Sequence, residues 1–323
     1  MNYLKKIGFS TLALLFLISP GFSFAAGNYH LLKKIALGGA DKWDYLSFDP
    51  INQRLYVSHS TEVDVLSPSG KVLGTIPDTP GVHGVIAVTD AGIGFTSNGT
   101  ANNVTMFELK SLKALAQVPT GNKPDAIGYD PATGCVYVCN GESENATVIE
   151  AASGGVVTTI PLGGSPEYLT VDGKGNLYIN LEKKDAVVAI NTRSRKIVST
   201  WTLPAGSNPS SMAIDKANGK LFIGCRNKTM VVLDTRSGQV VQSLPIGDHV
   251  DATVFDVTTS SIFNSCGDGT ITVIHQDAPS TYSVSDTIKT LPGAKTMTLD
   301  PETHNLYLPA MDGTTFSLLI FGQ

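Results

Sequence analysis

The chain has 323 residues, with 28 acidic and 23 basic side chains, a formal net charge of −5 and an aromatic content of only 7%. Tight binding to nucleic acid or to anionic lipid requires concentrated positive charge, and no run of Lys and Arg supplies it. The composition therefore disfavours nucleic acid as a partner.

The first 25 residues have the pattern of a cleavable secretory signal. Lys5 and Lys6 precede an apolar run at 7–18, and small residues lead to a cleavage site after Ala25. Removing these two lysines leaves 21 basic and 28 acidic residues, a net charge of −7. We expect a mature domain over 26–323 that is periplasmic or secreted and has no membrane span.

A short phrase recurs seven times along the rest of the chain. Its copies are LSFDPINQRLYVSH (46–59), IAVTDAGIGFTSN (86–98), IGYDPATGCVYVCN (127–140), LTVDGKGNLYIN (169–180), MAIDKANGKLFIGC (212–225), TVFDVTTSSIFNSC (253–266) and MTLDPETHNLYLPA (297–310). Anchoring the copies on Asp49, Thr89, Asp130, Asp172, Asp215, Asp256 and Asp300 gives steps of 40 to 44 residues. A period near 42 with several short strands in each unit indicates a propeller.

Each repeat holds four strand-like runs separated by turn residues. In the fourth unit these runs are 168–172, 177–180, 186–191 and 196–203. The chain ends on a third strand, 315–321, and begins with YHLLKKIAL (29–37), which resembles the fourth strands of other units. The sequence therefore predicts an all-β, seven-bladed β-propeller of four-stranded blades whose N-terminal strand closes the last blade.

The phrases LYVSH (55–59), VYVCN (136–140) and LYIN (177–180), with Asp-Pro ahead of the first two, resemble the YVTN family of β-propellers, also called YncE-like proteins. The resemblance covers the whole mature chain and is loosest in blade two, where GFTSN stands for LYVSN. It implies that the repeated tyrosines are packing residues. It does not imply a function, because propellers serve in binding, scaffolding and catalysis.

Loops that join a fourth strand to the next first strand, and a second strand to a third, emerge around one mouth of the central channel. Five residues before each anchor, at the start of the innermost strand, the sequence has Asp44, Gly84, Asp125, Glu167, Ser210, Asp251 and Lys295. The four carboxylates are candidates for an acidic collar that would hold a cation or a basic ligand. The alternative is that each accepts hydrogen bonds from turn amides.

Two histidines lie in loops of the same mouth. His59 follows the repeated phrase of blade one and His83 precedes the first strand of blade two, so we expect them to be neighbours beside Asp44. This set could bind a divalent metal or act as an acid–base pair. A hydrogen-bonded or solvated pair of surface histidines is the alternative.

Further candidates lie in blades five and six. Cys225 and Cys266 occupy the same repeat position in adjacent blades, and His249 and Asp251 precede the innermost strand of blade six. A disulfide, a soft-metal site that includes His249, and two buried thiols all stay open. Cys135 and Cys139 are expected to be packing residues.

Trp43, Tyr45 and Tyr168 could stack on a ligand at the mouth or pack in the rim. Signatures of nucleophile-elbow hydrolases, P-loops, dinucleotide folds and HExxH metalloproteases are absent from the sequence. We therefore expect a monomeric binding or scaffold protein for a small molecule, a metal ion or a cell-envelope protein or peptide. The alternative is a metal-assisted, lactonase-like hydrolase or an accessory subunit of a periplasmic oxidoreductase.

Overall fold

The computed structural model describes residues 29–39, 42–204 and 206–323. The expected signal segment and its cleavage site lie outside these ranges. Within the described residues, no helix is long and apolar enough to cross a membrane.

The described chain forms 28 strands, β1 to β28. The first thirteen are β1 His30–Ala36, β2 Trp43–Asp49, β3 Arg54–His59, β4 Glu62–Leu66, β5 Val72–Ile76, β6 Val82–Val88, β7 Ile93–Asn98, β8 Asn103–Glu108, β9 Ala114–Pro119, β10 Pro124–Asp130, β11 Cys135–Asn140, β12 Asn145–Glu150 and β13 Val156–Pro161. The remaining strands are β14 Pro166–Val171, β15 Asn176–Leu181, β16 Ala186–Asn191, β17 Lys196–Thr202, β18 Pro209–Asp215, β19 Lys220–Cys225, β20 Thr229–Asp234, β21 Val240–Pro245, β22 Val250–Asp256, β23 Ser261–Cys266, β24 Thr270–Ala278, β25 Thr281–Lys289, β26 Thr298–Leu299, β27 Leu306–Asp312 and β28 Thr315–Gly322.

These strands make seven four-stranded antiparallel sheets, and the predicted seven-bladed β-propeller is confirmed. Six blades use consecutive strands, from β2–β5 in blade one to β22–β25 in blade six. Blade seven has the order β1-β28-β27-β26, so the N-terminal strand is its outer strand, as predicted. β1 pairs with β28 from His30 opposite Gly322 to Ala36 opposite Ser317.

The apolar core lies between the blades. Each of the seven clusters of buried residues is drawn from two neighbouring blades. The repeated tyrosines belong to this core. Tyr56, Tyr137 and Tyr307 are fully buried, and the Tyr137 hydroxyl donates to the Thr192 carbonyl of the next blade over 3.3 Å. Packing of this phrase therefore joins each blade to its neighbour.

The anchor aspartates shape the turns that follow the innermost strands. Asp215 Oδ1 accepts the backbone amides of Ala217 and Asn218 over 3.0 and 3.1 Å, and its Oδ2 accepts the Asn218 side chain over 2.6 Å. Equivalent contacts surround Asp49, Asp130, Asp256 and Asp300. A carboxylate that satisfies the turn amides is the reason for Asp in this position.

Blade two differs. Its first turn is a short 3-10 helix, Thr89–Ala91, and strand pairing places Val88 opposite Ile93 just as Asp49 lies opposite Arg54. Val88, and not Thr89, therefore occupies the anchor position, and the repeat alignment of this blade was wrong by one residue. The corrected register changes which residue of blade two lies at the channel mouth.

Candidate functional site

A bulge near the start of each inner strand of blades one to six forms the channel mouth. In blade one, pairing with β3 shifts register between Trp43 and Leu46, and the same shift recurs in β6, β10, β14, β18 and β22. A bulge frees one residue from the ladder and re-aims its side chain. The mouth ring consists of the second residue of each of these six strands, together with Lys295, which precedes β26 of blade seven. Its members are Asp44, His83, Asp125, Glu167, Ser210, Asp251 and Lys295.

The corrected register of blade two places His83, and not Gly84, in this ring. Gly84 instead lies tightly against blade three, because a β-carbon added to it would lie 2.8 Å from Ile127. Three adjacent blades therefore contribute Asp44, His83 and Asp125 in sequence around the mouth. The sequence had predicted each residue as a mouth candidate, but not that the histidine belongs to the ring.

These three side chains converge. His83 Nδ1 lies 2.5 Å from Asp44 Oδ2 and 3.7 Å from Asp125 Oδ1, and one ligand atom from each residue lies within 4.8 Å of the others. Asp125 Oδ1 is buried and has no hydrogen-bond partner among the described residues. The cluster offers one imidazole nitrogen and two carboxylates, a donor set that suits a divalent ion such as Zn²⁺ or Mn²⁺.

The other half of the ring is built from ion pairs. The ring residue of blade five is the short Ser210, and Arg226 from the β19–β20 loop of the same blade fills the space. Arg226 Nη2 lies 2.9 Å from Glu167 Oε1 and 3.4 Å from Asp251 Oδ1. Lys295 Nζ lies 2.5 Å from Asp251 Oδ2. This half of the ring therefore brings two cations into direct contact with its carboxyl groups.

Arg226 was missed from the sequence, as was Glu182, whose Oε1 lies 3.0 Å from Arg226 Nη1. A signal for Arg226 existed, since it directly follows the repeated phrase in the one blade whose ring residue is a serine. The length of the arginine side chain lets it reach across the space that Ser210 leaves.

A tyrosine pair closes the channel beneath the ring. Tyr45 of blade one meets Tyr168 of blade four edge to face, with ring centroids 5.3 Å apart. The Tyr45 hydroxyl lies 3.4 Å from the Glu167 carbonyl oxygen. Residues from opposite sides of the molecule thus touch, and a separate cavity of about 220 Å³ lies against both rings. The mouth is therefore a bowl with an aromatic floor.

His59 does not join His83 at the ring. Its Nδ1 lies 2.8 Å from Asp64 Oδ2 on the adjacent strand β4, and its ring packs on Phe316 with centroids 4.4 Å apart. His59 is only 4% exposed. The expected set of Asp44, His59 and His83 therefore does not form, because the hairpin itself supplies a carboxylate for His59. His59, Glu62 and Asp64 make a second cluster of potential ligands.

The bowl continues into a side pocket between blades one and two. This pocket has a volume of about 560 Å³, and Trp43, Asp44, His83 and Lys295 lie in its wall. Trp43 also stacks on Phe316 with centroids 5.3 Å apart. The packing and ligand-contacting interpretations of Trp43 are thus compatible.

His249 and the cysteines lie apart from the cluster. The His249 side chain is 75% exposed, and its Nδ1 lies 3.2 Å from Asp248 Oδ1. All four cysteines are free thiols and buried, so the disulfide between Cys225 and Cys266 that the sequence left open does not form. Burial raises the pKa of both thiols to about 12, which makes them poor metal ligands and nucleophiles.

Burial also controls the charges of the ring. It raises the pKa of Asp125 to about 7, against the opposing effect of His83, and it raises the pKa of Glu167 to about 8. For His83, burial lowers the pKa, but the hydrogen bond to Asp44 and the charge of Asp125 outweigh it and raise the pKa overall. The cluster therefore holds protons that a metal ion would displace.

Comparison with known proteins shows the fold. The sequence matches no family model and no curated protein. Among solved structures, the chain is similar to "Structure of U3-55K", with 11% identity, a TM-score of 0.78 and coverage of 92% of this chain and 99% of that chain. It is also similar to "Crystal structure of RRP9 WD40 repeats", with 10% identity, a TM-score of 0.77 and coverage of 92% and 98%.

A third similar structure is "Kuenenia stuttgartiensis Hydrazine Synthase", with 15% identity, a TM-score of 0.74 and coverage of 83% of this chain and 92% of that chain. At such identities these likenesses concern the fold alone, since one fold hosts many functions. The chain is a seven-bladed β-propeller, and its function must be argued from its own site.

Proposed function

We propose that this protein is an exported, YVTN-like binding protein whose ligand enters the bowl at the channel mouth and is held through a divalent metal ion. The observation that carries the proposal is the convergence of Asp44, His83 and Asp125 from three consecutive blades within 4.8 Å. The buried Asp125 Oδ1, which has no hydrogen-bond partner among the described residues, supports it.

The chemistry of the donor set fits this role. A metal would take the place of the proton between His83 Nδ1 and Asp44, and binding would release protons from the cluster. Arg226 and Lys295 are paired with Glu167 and Asp251 on the other half of the ring. They are positioned to meet an acidic group of a ligand that the metal also holds.

The test is calorimetric titration of the purified, chelator-treated mature protein with Zn²⁺ and with Mn²⁺. We expect one ion per chain, and we expect Asp125→Asn and His83→Gln each to weaken binding by about tenfold or more. Asp248→Asn, which removes a carboxylate of the β21–β22 loop, is the matched control and should bind as the parent does. The proposal would be refuted if neither ion bound, or if the variants bound the ion as tightly as the parent protein.

Export is part of the proposal and rests on the sequence pattern of the first 25 residues. Expression of the full chain in a bacterium, followed by mass analysis of the periplasmic fraction, should give a protein that begins at Ala26. An uncleaved chain confined to the cytoplasm would contradict this part alone and leave the metal site untouched.

A second candidate function is metal-assisted hydrolysis. It is favoured by the side pocket of about 560 Å³, which places open space directly beside Asp44 and His83. A metal-bound water there could attack an ester or lactone carbonyl. Hydrolysis of a lactone by the zinc-loaded protein that is lost in His83→Gln would establish this activity, whereas metal binding without turnover would leave the binding function.

A further inference from the structure

The underside of blades four and five, opposite the channel mouth, is a basic sector in an otherwise acidic protein. Two turns of each blade reach this face. The turns and the first residue of β17 carry Lys174, Arg193, Arg195, Lys196, Lys216 and Arg236. All six residues are exposed. In a mature chain of net charge −7, this concentration of cations on two neighbouring blades is a local departure from the overall charge.

The aspartates of these turns do not neutralise the sector. Asp172 and Asp215 direct their oxygens to turn amides and to Asn176 and Asn218. The carboxylate of Asp234 is paired mainly with the buried Lys220, because Lys220 Nζ lies 2.6 Å from Asp234 Oδ2.

Apart from Arg236, which lies 3.5 Å from Asp234, the cations of the sector have no carboxylate within 4.0 Å among the described residues. Their side chains are therefore available to an anionic ligand.

A groove of about 380 Å³ runs between the two blades within this sector. Lys174, Lys216 and Arg236 stand in its wall with the amide side chains of Asn176 and Asn218. Lys216 reaches across the blade boundary, because a β-carbon added to Gly173 of blade four would lie 3.9 Å from Lys216 Nζ. Arg193 is held at the same edge, where its Nη1 donates to the Lys174 carbonyl over 2.9 Å.

The groove also has an aromatic wall. Trp201 of β17 lines it and stacks on Tyr178, with ring centroids 5.9 Å apart and planes 25° apart. Gly238, whose φ is +71°, makes room for the indole, because a β-carbon there would lie 2.2 Å from the ring.

Strand pairing shows that Trp201 is peculiar to blade four. It lies opposite Val187, and the equivalent residue in five other blades is a buried aliphatic one. These residues are Ile76, Val118, Ile160, Leu244 and Ile288. The fold therefore requires only an aliphatic side chain at this position, and the indole needs another explanation.

We propose that the groove between blades four and five binds an anionic carbohydrate, namely a sugar ring or short oligosaccharide that carries carboxylate groups. The indole of Trp201 would stack on the ring face, the amides of Asn176 and Asn218 would bond its hydroxyls, and Lys174, Lys216 and Arg236 would pair with its carboxylates. The site is on the face opposite the metal cluster, so the inference does not depend on the proposed function.

The test compares tetramannuronate with mannotetraose, its uncharged counterpart. The chain has two tryptophans, so Trp43→Phe leaves Trp201 as the sole emitter. We expect tetramannuronate to change the emission of Trp201 and mannotetraose to bind about tenfold or more weakly. We expect Lys174→Gln with Lys216→Gln to raise the Kd for tetramannuronate by about tenfold.

Two controls separate this site from general charge attraction. Lys110→Gln with Lys113→Gln removes the same number of charges from the exposed β8–β9 turn of blade two and should leave the Kd unchanged. Trp201→Leu introduces the aliphatic type of residue found in five other blades, so it should fold, and calorimetric titration of this variant should show a loss of affinity.

Absence of binding would overturn the proposal, as would equal loss in the blade-two control or equally strong binding of polyphosphate, which has no ring to stack. Asp125→Asn should not alter this Kd, which keeps the result independent of the mouth.

Discussion

At the scale of single residues, burial and neighbouring charges together set the pKa values of the carboxyl groups in the ring. Asp251 lies between Arg226 and Lys295, yet burial still raises its pKa. Burial and the nearby carboxylates of Asp125, Glu182 and Asp251 outweigh Arg226 and raise the pKa of Glu167 to about 8. A mouth with four carboxylates thus carries less negative charge at neutral pH than its composition indicates.

Glu167 should make the protein less stable as the pH rises. The folded protein keeps the Glu167 proton up to about pH 8, whereas the unfolded chain loses it near pH 4.5. The folded state therefore binds more protons in this window, and the free energy of unfolding falls by up to about 1.4 kcal/mol per pH unit. We expect Glu167→Gln to flatten this slope in urea unfolding measured from pH 5 to 8.

The control for this prediction is Glu142→Gln, because Glu142 is exposed on a neighbouring loop. It should leave the pH dependence of the parent protein intact. If Glu167→Gln and the parent protein lost stability in parallel, the proton on Glu167 would not be the cause.

Sequence reasoning located most mouth residues but could not decide side-chain direction. Asp44 and His83 were expected together, and they are. His59 was expected with them, but Asp64, five residues later on the paired strand, accepts its hydrogen bond instead. Strand pairing brings Asp64 within reach of His59, where it competes with Asp44 for the imidazole. The period of the repeat does not reveal this local contact.

At the scale of elements, the repeat predicted strands and turns well because the repeated apolar residues are the ones that pack between the blades. The third strand of blade four was predicted at 186–191 and is Ala186–Asn191. Blade two was misaligned by one residue because its first turn uses a 3-10 helix in place of an aspartate turn. Because blade two lacks the turn aspartate on which the other repeats were aligned, the sequence could not assign His83 to the ring.

The aspartate turns should contribute measurably to stability. Burial opposes ionisation of Asp215, but hydrogen bonds from Asn218, Gln276 and two backbone amides outweigh it and lower its pKa. Asp215→Ala leaves these donors without their acceptor, so we expect a loss of about 1–3 kcal/mol in the free energy of unfolding near pH 7.

The sign of the pH dependence is a further check, made by urea titration of parent and variant. Because the folded pKa is depressed, the stabilisation by Asp215 is present above its unfolded pKa of 3.8 and disappears as the pH falls through the folded value. The difference between parent and Asp215→Ala should therefore shrink in acid. Asp90→Ala, in the exposed 3-10 turn of blade two, should show no such loss at any pH.

At the scale of the whole molecule, ring closure was predictable because a chain that ends on a third strand needs a fourth from elsewhere. β1 supplies it along the full length from His30 to Ala36. Tyr29 fixes the start of this strand, since its ring meets Phe263 of blade six at 5.2 Å and its hydroxyl donates to the His304 carbonyl over 2.9 Å. The strand therefore also links blade seven to blade six.

Loss of this strand should be far more damaging than a break elsewhere in the chain. A variant that begins at Leu37 would expose the backbone of β28 as an open edge and remove the partner of blade seven. We expect it to aggregate or to melt without a cooperative transition, as followed by circular dichroism and light scattering.

The matched control is a circular permutant. His30 lies opposite Gly322 in the paired strands, so a short Gly-Ser linker can join Gln323 to Tyr29 while the chain is opened in the turn between Ser153 and Gly154. This permutant keeps every strand pair and should melt cooperatively near the parent temperature. If the truncated chain melted like the parent instead, the ring would be held by its blade interfaces alone and closure would contribute little.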